Sequence, residues 1–400
     1  DNYLVAVCRE NDEVCIAWID ISTGRFEINS CTWDDSLIYL RQELARLMPK
    51  ELIVQESLLN GKLASVIAEK RSWVVNRYPD WHFSSRESYR RLLDFFQLVN
   101  LSCFGISEND SALAPAGVLL DYVEQNVGKT LRHIRAIYKL DLADYLPLNE
   151  ATQRNLELVC NLQDGGSEYS LWKGLNFCLT PMGSRTLFRW VLQPLKAPDR
   201  INGRLDRVSS LYHNQMLLSA LRDSANKVRD LERLASKVGM GKCNPREAEA
   251  IFATLKIVSE LVDVVSSFEA AQGLFELSVS QHETVAALTD YLGRAIADNP
   301  PLNAADGGCI RSGFDLEVDR LRDIYSRSSE IMQEYHQRLQ ESTEISSLKI
   351  KYNRILGYFI EVTKANRQKV PDDFIPRQSL TQCDRFVTQE LIDLQGELQY

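Results

Sequence analysis

The chain has 400 residues, of which 44% are hydrophobic and 25% charged, and its formal net charge is −9. These values predict a soluble globular protein of two or three domains. No run approaches the roughly 18 consecutive apolar residues that a membrane-spanning helix needs. The acidic balance excludes a surface that is coated with nucleic acid, but it permits a local basic site.

The nine cysteines and five histidines are scattered along the chain, and no C-x-x-C pair occurs. This pattern argues against a disulfide framework or a zinc site and predicts reduced thiols in a cytoplasmic protein. The sequence opens with Asp1 instead of Met, and residues 387–400 have a helical pattern with no cap or breaker at the end. From these features of the two ends we expect the chain to be an internal piece of a longer protein.

Residues 1–148 have the pattern of an α/β domain. Strands are predicted at Tyr3–Cys8, Val14–Asp20, Arg25–Asn29 and Glu51–Val54, and helices from the N-cap Asp34 to Leu47, at Tyr89–Phe96 and at Ala112–Gln125. Three strands, a helix and a strand form the opening of a ribonuclease-H-like domain. Nucleases of this fold bind two divalent metals with clustered carboxylates, one of them typically within the first strand. Tyr3–Val7 contains none, and we expect Asp20 and Glu27 at strand ends on the surface, so nuclease activity is not predicted.

Two Gly-Lys pairs fail as phosphate-binding loops. Such a loop needs a glycine five residues before the one that precedes the lysine, so that backbone N–H groups can surround the phosphates. Val123 occupies that place before Gly128-Lys129-Thr130, and Ser236 occupies it before Gly241-Lys242. The sequence therefore predicts no ATP site and no bound cofactor.

From residue 149 onward the predicted elements are helices. They lie at Ala151–Gln163, Pro181–Leu192, Asp199–Tyr212, Met216–Val238, Pro245–Val265 and Thr284–Ala297. Thr180 is a good N-cap, and Pro181 fits a first helical turn. The helix after it is apolar nearly all round, which predicts a buried helix. Arg185 and Arg189 lie four residues apart on one face, and we expect them to form salt bridges with neighbouring helices rather than to contact DNA.

A long helix begins near Asp315, after the loop that contains Pro300-Pro301 and Gly307-Gly308. Apolar or small residues recur in it every three or four positions, at Leu321, Ile324, Ser328, Ile331, Tyr335 and Leu339. This seam predicts one partner helix, and thirty residues would span about 45 Å. The natural partner is the helix after Thr388, running back antiparallel.

Between these two helices lies a basic β element. Leu348, Ile350 and Tyr352 alternate with polar residues, residues 353–357 can turn the chain, and Tyr358–Thr363 is rich in aromatic and β-branched residues. From Lys349 to Arg385 there are eight Lys/Arg and four Asp/Glu, a balance of +4, so the remainder of the chain carries −13. A compact basic element in an acidic chain indicates a polyanion-binding surface, and the alternative is a solvated strand face.

Four stretches in order give the chain a resemblance to the MutS family of DNA mismatch-recognition proteins. They are SLWKGLNFCLTPMGSRTLFRWVLQPL at 170–195, VRDLERLASKV at 228–238, DNPPL with DGGCIRSGFDLEVDRLRDI at 298–324, and LKIKYNRILGYFIEVTKAN with VPDDFIPRQSL and DRFVTQEL at 348–391. The resemblance implies a multidomain chain: a ribonuclease-H-like connector at 1–148, an all-α core and lever at 149–328, a small antiparallel β clamp inserted at the lever tip at 329–387, and the start of the returning lever helix at 388–400.

The resemblance also implies a function. The clamp of this family contacts the DNA backbone without reading sequence, and the matching positions here are Lys364, Arg367, Arg377, Gln378, Ser379, Thr381 and Gln382. The sequence departs from the family at Pro376, Thr381, Gln382 and Gln389, where a basic residue, Lys, Asn and Pro are common. The resemblance further implies a MutL-like partner at the connector, and a homodimer with an ATP- and Mg²⁺-dependent ATPase domain in the full-length protein. No enzymatic activity is expected of this chain.

The sequence leaves two other classes of protein open. One is a structural coiled-coil protein whose basic tip is merely solvated, and it predicts no salt-dependent DNA binding. The other is an RNA-binding scaffold with a helical arm, which predicts a preference for RNA. The basic β element lacks the usual aromatic stacking platform for RNA bases.

Overall fold

The structure is a computed structural model that describes residues 2–34, 37–69, 73–127, 131–266, 278–353 and 357–398. The chain divides into two units, residues 1–309 and residues 310–400. Within the described residues, no helix is both long enough and apolar enough to cross a membrane.

The first unit begins with a six-stranded mixed sheet. Its strands are β1 (Tyr3–Glu10), β2 (Glu13–Asp20), β3 (Arg25–Thr32), β4 (Glu51–Gln55), β5 (Val74–Tyr78) and β6 (Tyr138–Lys139), in the order β5-β4-β1-β2-β3-β6. The first three strands pair antiparallel, while β1–β4, β4–β5 and β3–β6 are parallel pairs. The predicted order of three strands, a helix and a strand is confirmed.

Helices cover both faces of this sheet. One face packs against α1 (Ile38–Leu47) and α2 (Lys62–Glu69), and the other against α3 (Ser85–Phe96) and α4 (Leu113–Val127). Because successive side chains of a strand point to opposite faces, Val5 and Val7 lie in the first core, and Ala6 and Cys8 lie in the second. All four are fully buried, which explains why β1 is an almost continuous apolar run.

The predicted start of α1 is wrong. Asp34 is not the N-cap; that position belongs to Leu37, which has a left-handed backbone (φ 50°) and makes no side-chain cap. The backbone N–H of Leu37 donates to the carbonyl of Asp34 at 3.3 Å. The helix thus begins four residues after Asp34, and residues 35–36 lie outside the described residues.

The surface placement of Asp20 and Glu27 is also wrong, because only 1% and 5% of these residues is exposed. One oxygen of Asp20 accepts hydrogen bonds from the N–H and the hydroxyl of Ser22, at 2.9 and 2.7 Å. Glu27 accepts a hydrogen bond from the indole of Trp18 at 2.7 Å and pairs with Arg25. These partners offset the free-energy cost of burying a carboxylate.

The rest of the first unit is helical. The helices are α5 (Glu150–Asn155), α6 (Leu171–Leu175), α7 (Pro181–Leu192), α8 (Pro198–His213), α9 (Gln215–Ala225), α10 (Leu231–Gly239), α11 (Pro245–Ser266) and α12 (Val279–Ala295). Thr180 caps α7 as predicted, since its hydroxyl accepts from the N–H of Gly183 at 3.1 Å. Helix α12 begins at Val279 instead of Thr284, because Ser278 and Gln281 form a capping box.

Three predictions for these helices fail. The helix predicted to reach Gln163 ends at Asn155, and Glu157 has a positive φ of 47°. The helix predicted at Met216–Val238 is two helices, because Asp230 caps α10. Helix α7 is only partly buried: Trp190 is 45% exposed, and the guanidinium of Arg204 lies 3.8 Å from its ring centroid.

The salt bridge predicted for Arg185 is confirmed. Its guanidinium donates to both carboxylate oxygens of Asp230, at 2.7 and 2.8 Å, and to Glu232 at 2.6 Å. The Arg185 guanidinium lowers the pKa of Asp230, because it stabilises the ionised carboxylate. Arg189 donates to Thr186 within its own helix, and burial lowers the pKa of Arg189.

The second unit consists of a long helix, a four-stranded antiparallel sheet and a final helix. These are α13 (Leu316–Thr343), β7 (Lys349–Asn353), β8 (Gly357–Thr363), β9 (Ile375–Ser379), β10 (Cys383–Val387) and α14 (Gln389–Leu398), with the strand order β7-β8-β10-β9. Asp315 caps α13 by accepting from the N–H groups of Glu317 and Val318. The 28 residues of α13 span about 42 Å. Residues 354–356 of the predicted turn lie outside the described residues, and Gly357 has a φ of 70°.

One end of the predicted seam on α13 packs against this sheet and α14. Tyr335 is 1% exposed and lies in a core with Ile360, Phe386 and Leu391. Its hydroxyl hydrogen-bonds to Thr388, the residue before α14. At the other end of the seam, Leu321 is 56% exposed.

Candidate nucleic-acid interface

The predicted site residues lie in the four-stranded sheet and its connections. Strand β8 ends in a 3₁₀ turn over Lys364–Lys369, and Leu380–Gln382 connects β9 to β10. The backbone N–H of Lys364 donates to the carbonyl of Gln382 at 3.2 Å. This bond joins the two connections at one end of the sheet, and Lys364, Thr381 and Gln382 are all exposed there.

Arg367 and Ser379 meet at one carboxylate, that of Asp384 on β10. The hydroxyl of Ser379 donates to Oδ1 of Asp384, and the guanidinium of Arg367 lies 3.5 Å from Oδ2. Asp384 is opposite Ser379 in the β9–β10 pairing, and it is 5% exposed. Sequence reasoning missed Asp384, because its contacts depend on the strand register.

Gln378 lies on the opposite face of the sheet, in a row of cross-strand partners. It pairs with Arg385 on β10, which pairs with Glu361 on β8, which pairs with Lys349 on β7. Arg385 donates to Gln378 at 2.8 Å and lies 3.6 Å from Glu361. Lys351 donates to Glu361 at 2.7 Å. These cations hold the pKa of Glu361 below its usual range, with the hydrogen bond from Lys351 as the largest cause.

Arg377 occupies an irregularity in the edge strand β9. The register shifts between Arg385 and Phe386, which pair with Gln378 and Pro376, so Arg377 has no partner on β10. This is the arrangement of a β-bulge, in which one residue on a strand is left unpaired. Every residue of β9 is exposed.

The basic residues of the sheet therefore fall into two groups. Lys351, Arg367 and Arg385 form ion pairs with Glu361 or Asp384. Lys349, Lys364, Lys369 and Arg377 are exposed and form no ion pair with any residue that the structure describes. Lys369 was not among the predicted site residues, although it contributes to the +4 balance of this stretch.

This arrangement suits contacts with phosphate groups. Lysine and arginine neutralise phosphate charge and release counterions, and hydroxyl and amide side chains donate hydrogen bonds to phosphate oxygens. No group of three or more His, Cys, Asp or Glu residues that could hold a metal ion occurs within the described ranges.

Three domain models of one protein family match successive parts of the chain. Residues 2–135 match the family model of MutS domain II, residues 151–350 match MutS domain III, and residues 313–400 match MutS family domain IV. The domain IV match contains the whole four-stranded sheet and all seven predicted site residues.

Three similar proteins carry the name DNA mismatch repair protein MutS. The chain is 32% identical to the protein of Treponema denticola, 35% to that of Methanosarcina barkeri and 34% to that of Symbiobacterium thermophilum, over 100%, 98% and 100% of its length. It spans 46%, 45% and 45% of those proteins, so it corresponds to less than half of each relative. With three domain models matched in order, the chain belongs to the MutS family.

Proposed function

We propose that this chain supplies the DNA-backbone clamp of a mismatch-repair protein. The observation that carries the proposal is the set of exposed lysines and arginines on one small sheet and its connections. Of these, Lys349, Lys364, Lys369 and Arg377 form no ion pair with described residues. The remainder of the chain is acidic. Duplex DNA would therefore be attracted to this sheet and repelled elsewhere.

The proposed domain assignments follow those of the MutS family. Residues 1–148 form a connector with a ribonuclease-H-like fold, residues 149–328 a core and lever, residues 329–387 the clamp, and residues 388–400 the start of a returning lever helix. The mixed sheet that opens with three antiparallel strands supports the connector assignment. The long α13 and the sheet that follows it support the lever and the clamp.

The proposed partners also follow the family. Double-stranded DNA binds at the clamp through its phosphates, and a MutL-like protein binds at the connector. The full-length cytoplasmic protein acts as a homodimer whose ATPase domain uses ATP and Mg²⁺. This chain itself is not an enzyme, so we expect neither ATP hydrolysis nor a preference for mismatched over matched duplex from it.

The first test is binding of a fluorescent DNA duplex at several salt concentrations. The variant Lys364→Ala/Arg367→Ala/Arg377→Ala is compared with Arg86→Ala/Arg90→Ala/Lys242→Ala, which removes the same charge from exposed positions outside the sheet. In the unaltered chain, the logarithm of the affinity should fall with the logarithm of the salt concentration by about 0.9 per neutralised phosphate. That slope should become smaller in the clamp variant, by about 0.9 for each phosphate contact removed, and should stay unchanged in the control variant.

Equal losses in the two variants would mean that overall charge, not the clamp, determines binding. Affinity without salt dependence would also contradict a phosphate-binding surface. An RNA competitor that displaces the duplex much better than DNA does would favour the RNA-binding class instead.

A further inference from the structure

Asp384 is an ionisable residue on the core-facing side of the second sheet. It pairs with Val362 on β8 and with Ser379 on β9, and it alternates with Phe386, which belongs to the apolar core. A carboxylate there costs free energy unless it is compensated. An apolar side chain would avoid that cost, so the position of Asp384 calls for a functional explanation.

The two oxygens of Asp384 are used differently. Oδ1 accepts the hydrogen bond from the hydroxyl of Ser379. Oδ2 is buried and accepts no hydrogen bond from the described residues, and the guanidinium of Arg367 faces it at 3.5 Å. An ionised carboxylate can only accept, so the Ser379 hydroxyl must donate its proton to Asp384 and cannot donate that proton to DNA.

Arg367 is exposed to solvent, whereas Asp384 is buried: 69% of the Arg367 side chain is exposed. A guanidinium carries five N–H donors in a rigid, planar fork. Its contact with Oδ2 of Asp384 is made by Nη1 at 3.5 Å. One edge of the fork can therefore face the buried carboxylate while the other edge donates to an anion in solvent.

We propose that Asp384 is a positioning residue for DNA binding. Ser379 fixes Asp384, Asp384 orients Arg367, and Arg367 contacts a backbone phosphate. Ser379 then contributes through Asp384 and not as a side-chain donor to the phosphate. This inference rests on the proposed function, since it explains how the clamp holds one of its phosphate-binding groups.

A double-mutant cycle in the full chain tests the proposal. Duplex DNA binding is measured for Asp384→Asn, Arg367→Ala and the double variant at one salt concentration, and thermal melting of each sample reports its stability. Asparagine keeps the shape of the side chain and an oxygen that accepts from Ser379, but it loses the charge that orients Arg367. Asp384→Asn should weaken binding about two- to fivefold, in the range of exposed ion pairs. The double variant should bind no more weakly than Arg367→Ala alone, because the effects of coupled residues are not additive.

Two further variants keep the test decisive. Ser379→Ala leaves both charges in place, and it should also weaken binding in the presence of Arg367 but not in its absence. Glu361→Gln removes a carboxylate from the opposite face of the same sheet, so its effect should be additive with that of Arg367→Ala.

Additive losses in the Asp384–Arg367 cycle would overturn the proposal, and so would tighter binding by Asp384→Asn, since the carboxylate would then compete with the phosphate. If Lys364→Ala/Arg377→Ala loses binding while Asp384→Asn does not, the positioning role fails and the clamp function stands. If none of these variants changes binding, the clamp function fails as well.

Discussion

The β-carbon that Gly239 lacks would lie 2.7 Å from the β-carbon of His133. Gly239 is the last residue of α10, and His133 belongs to the stretch between α4 and β6. Real side chains essentially never approach so closely. A glycine at this point therefore allows the helical part of the first unit to touch a segment next to the six-stranded sheet.

Gly239→Ala should destabilise the protein. The added methyl group meets the β-carbon and backbone N of His133, and overpacking of this kind costs about 1 to 3 kcal/mol. Urea unfolding measures the change. Gly203→Ala in α8 is the control, because apart from its chain neighbours and the backbone of its own helix, no atom of the described residues lies within 4 Å of the position of its added carbon. Alanine is the better helix former, so the control should be neutral or stabilising; equal losses in both variants would refute the close-contact explanation.

His133 should make stability depend on pH. Burial lowers the pKa of His133, although the hydrogen bond from its Nε2 to the carbonyl of Ile21 acts in the opposite direction. The unfolded chain therefore binds a proton more readily than the folded chain, and stability is lost as the pH falls through about 6.5, the ordinary histidine value. Between about pH 7.5 and about pH 5.5, the urea midpoint should fall more in the unaltered protein than in His133→Gln. Glutamine can still donate to Ile21 but does not titrate, and parallel pH profiles would contradict the prediction.

Arg185→Ala should be among the more damaging substitutions in the helical part. It removes the bidentate partner of Asp230 and the partner of Glu232 and leaves the largely buried Asp230 carboxylate with only the longer ion pair to Arg233 at 3.7 Å, which costs about 2 to 3 kcal/mol. Arg294→Ala breaks a pair with Asp290 in which both side chains are about two-thirds exposed, so it should cost less than about 0.5 kcal/mol. Thermal unfolding of the two variants, side by side, checks the difference; similar melting temperatures would show that burial of Arg185 is not decisive.

Lys369 and Lys351 should differ in their effect on DNA binding. Lys369 has no ion pair among the described residues, whereas Lys351 is held by Glu361. Lys369→Ala should reduce the slope of log affinity against log salt by about 0.9, the value for one phosphate contact, and Lys351→Ala should change it little. Each variant removes one charge, so overall charge cannot explain a difference. Equal slopes would argue against the division of these cations into paired and available groups.

The sequence predicted the parts of the fold that local patterns determine. The first three strands and the capping of α7 by Thr180 follow from alternation and from short-range hydrogen bonding. The long helix and the basic sheet at 349–387 were recovered for the same reason. The break between α9 and α10 was missed, because the apolar spacing continues through the residues where Asp230 starts a new helix.

The β element that carries the candidate site residues was predictable from the sequence, but the ion pairs of its basic residues were not. Exposed basic residues near 364–382 were identified correctly as lying in one small sheet. The ion pairs of Lys351 and Arg385 with Glu361, and of Arg367 with Asp384, depend on which residues the fold brings together from different strands and turns. A shift of one residue in register would move every side chain to the other face, so charge counting cannot show which cations remain available. Asp20 and Glu27 were misplaced for a similar reason, since their burial depends on the covering of the whole sheet.

The irregularity at Arg377 has a consequence for self-association. Strand β9 lies at the edge of its sheet with all five residues exposed, and such an edge can recruit a strand from another molecule and start aggregation. Here Pro376 lacks an N–H group to offer, and the adjacent bulge places the charged Arg377 out of the regular pairing. The same few residues that expose the Arg377 cation therefore also hinder the β9 edges of neighbouring molecules from joining into a continuous sheet.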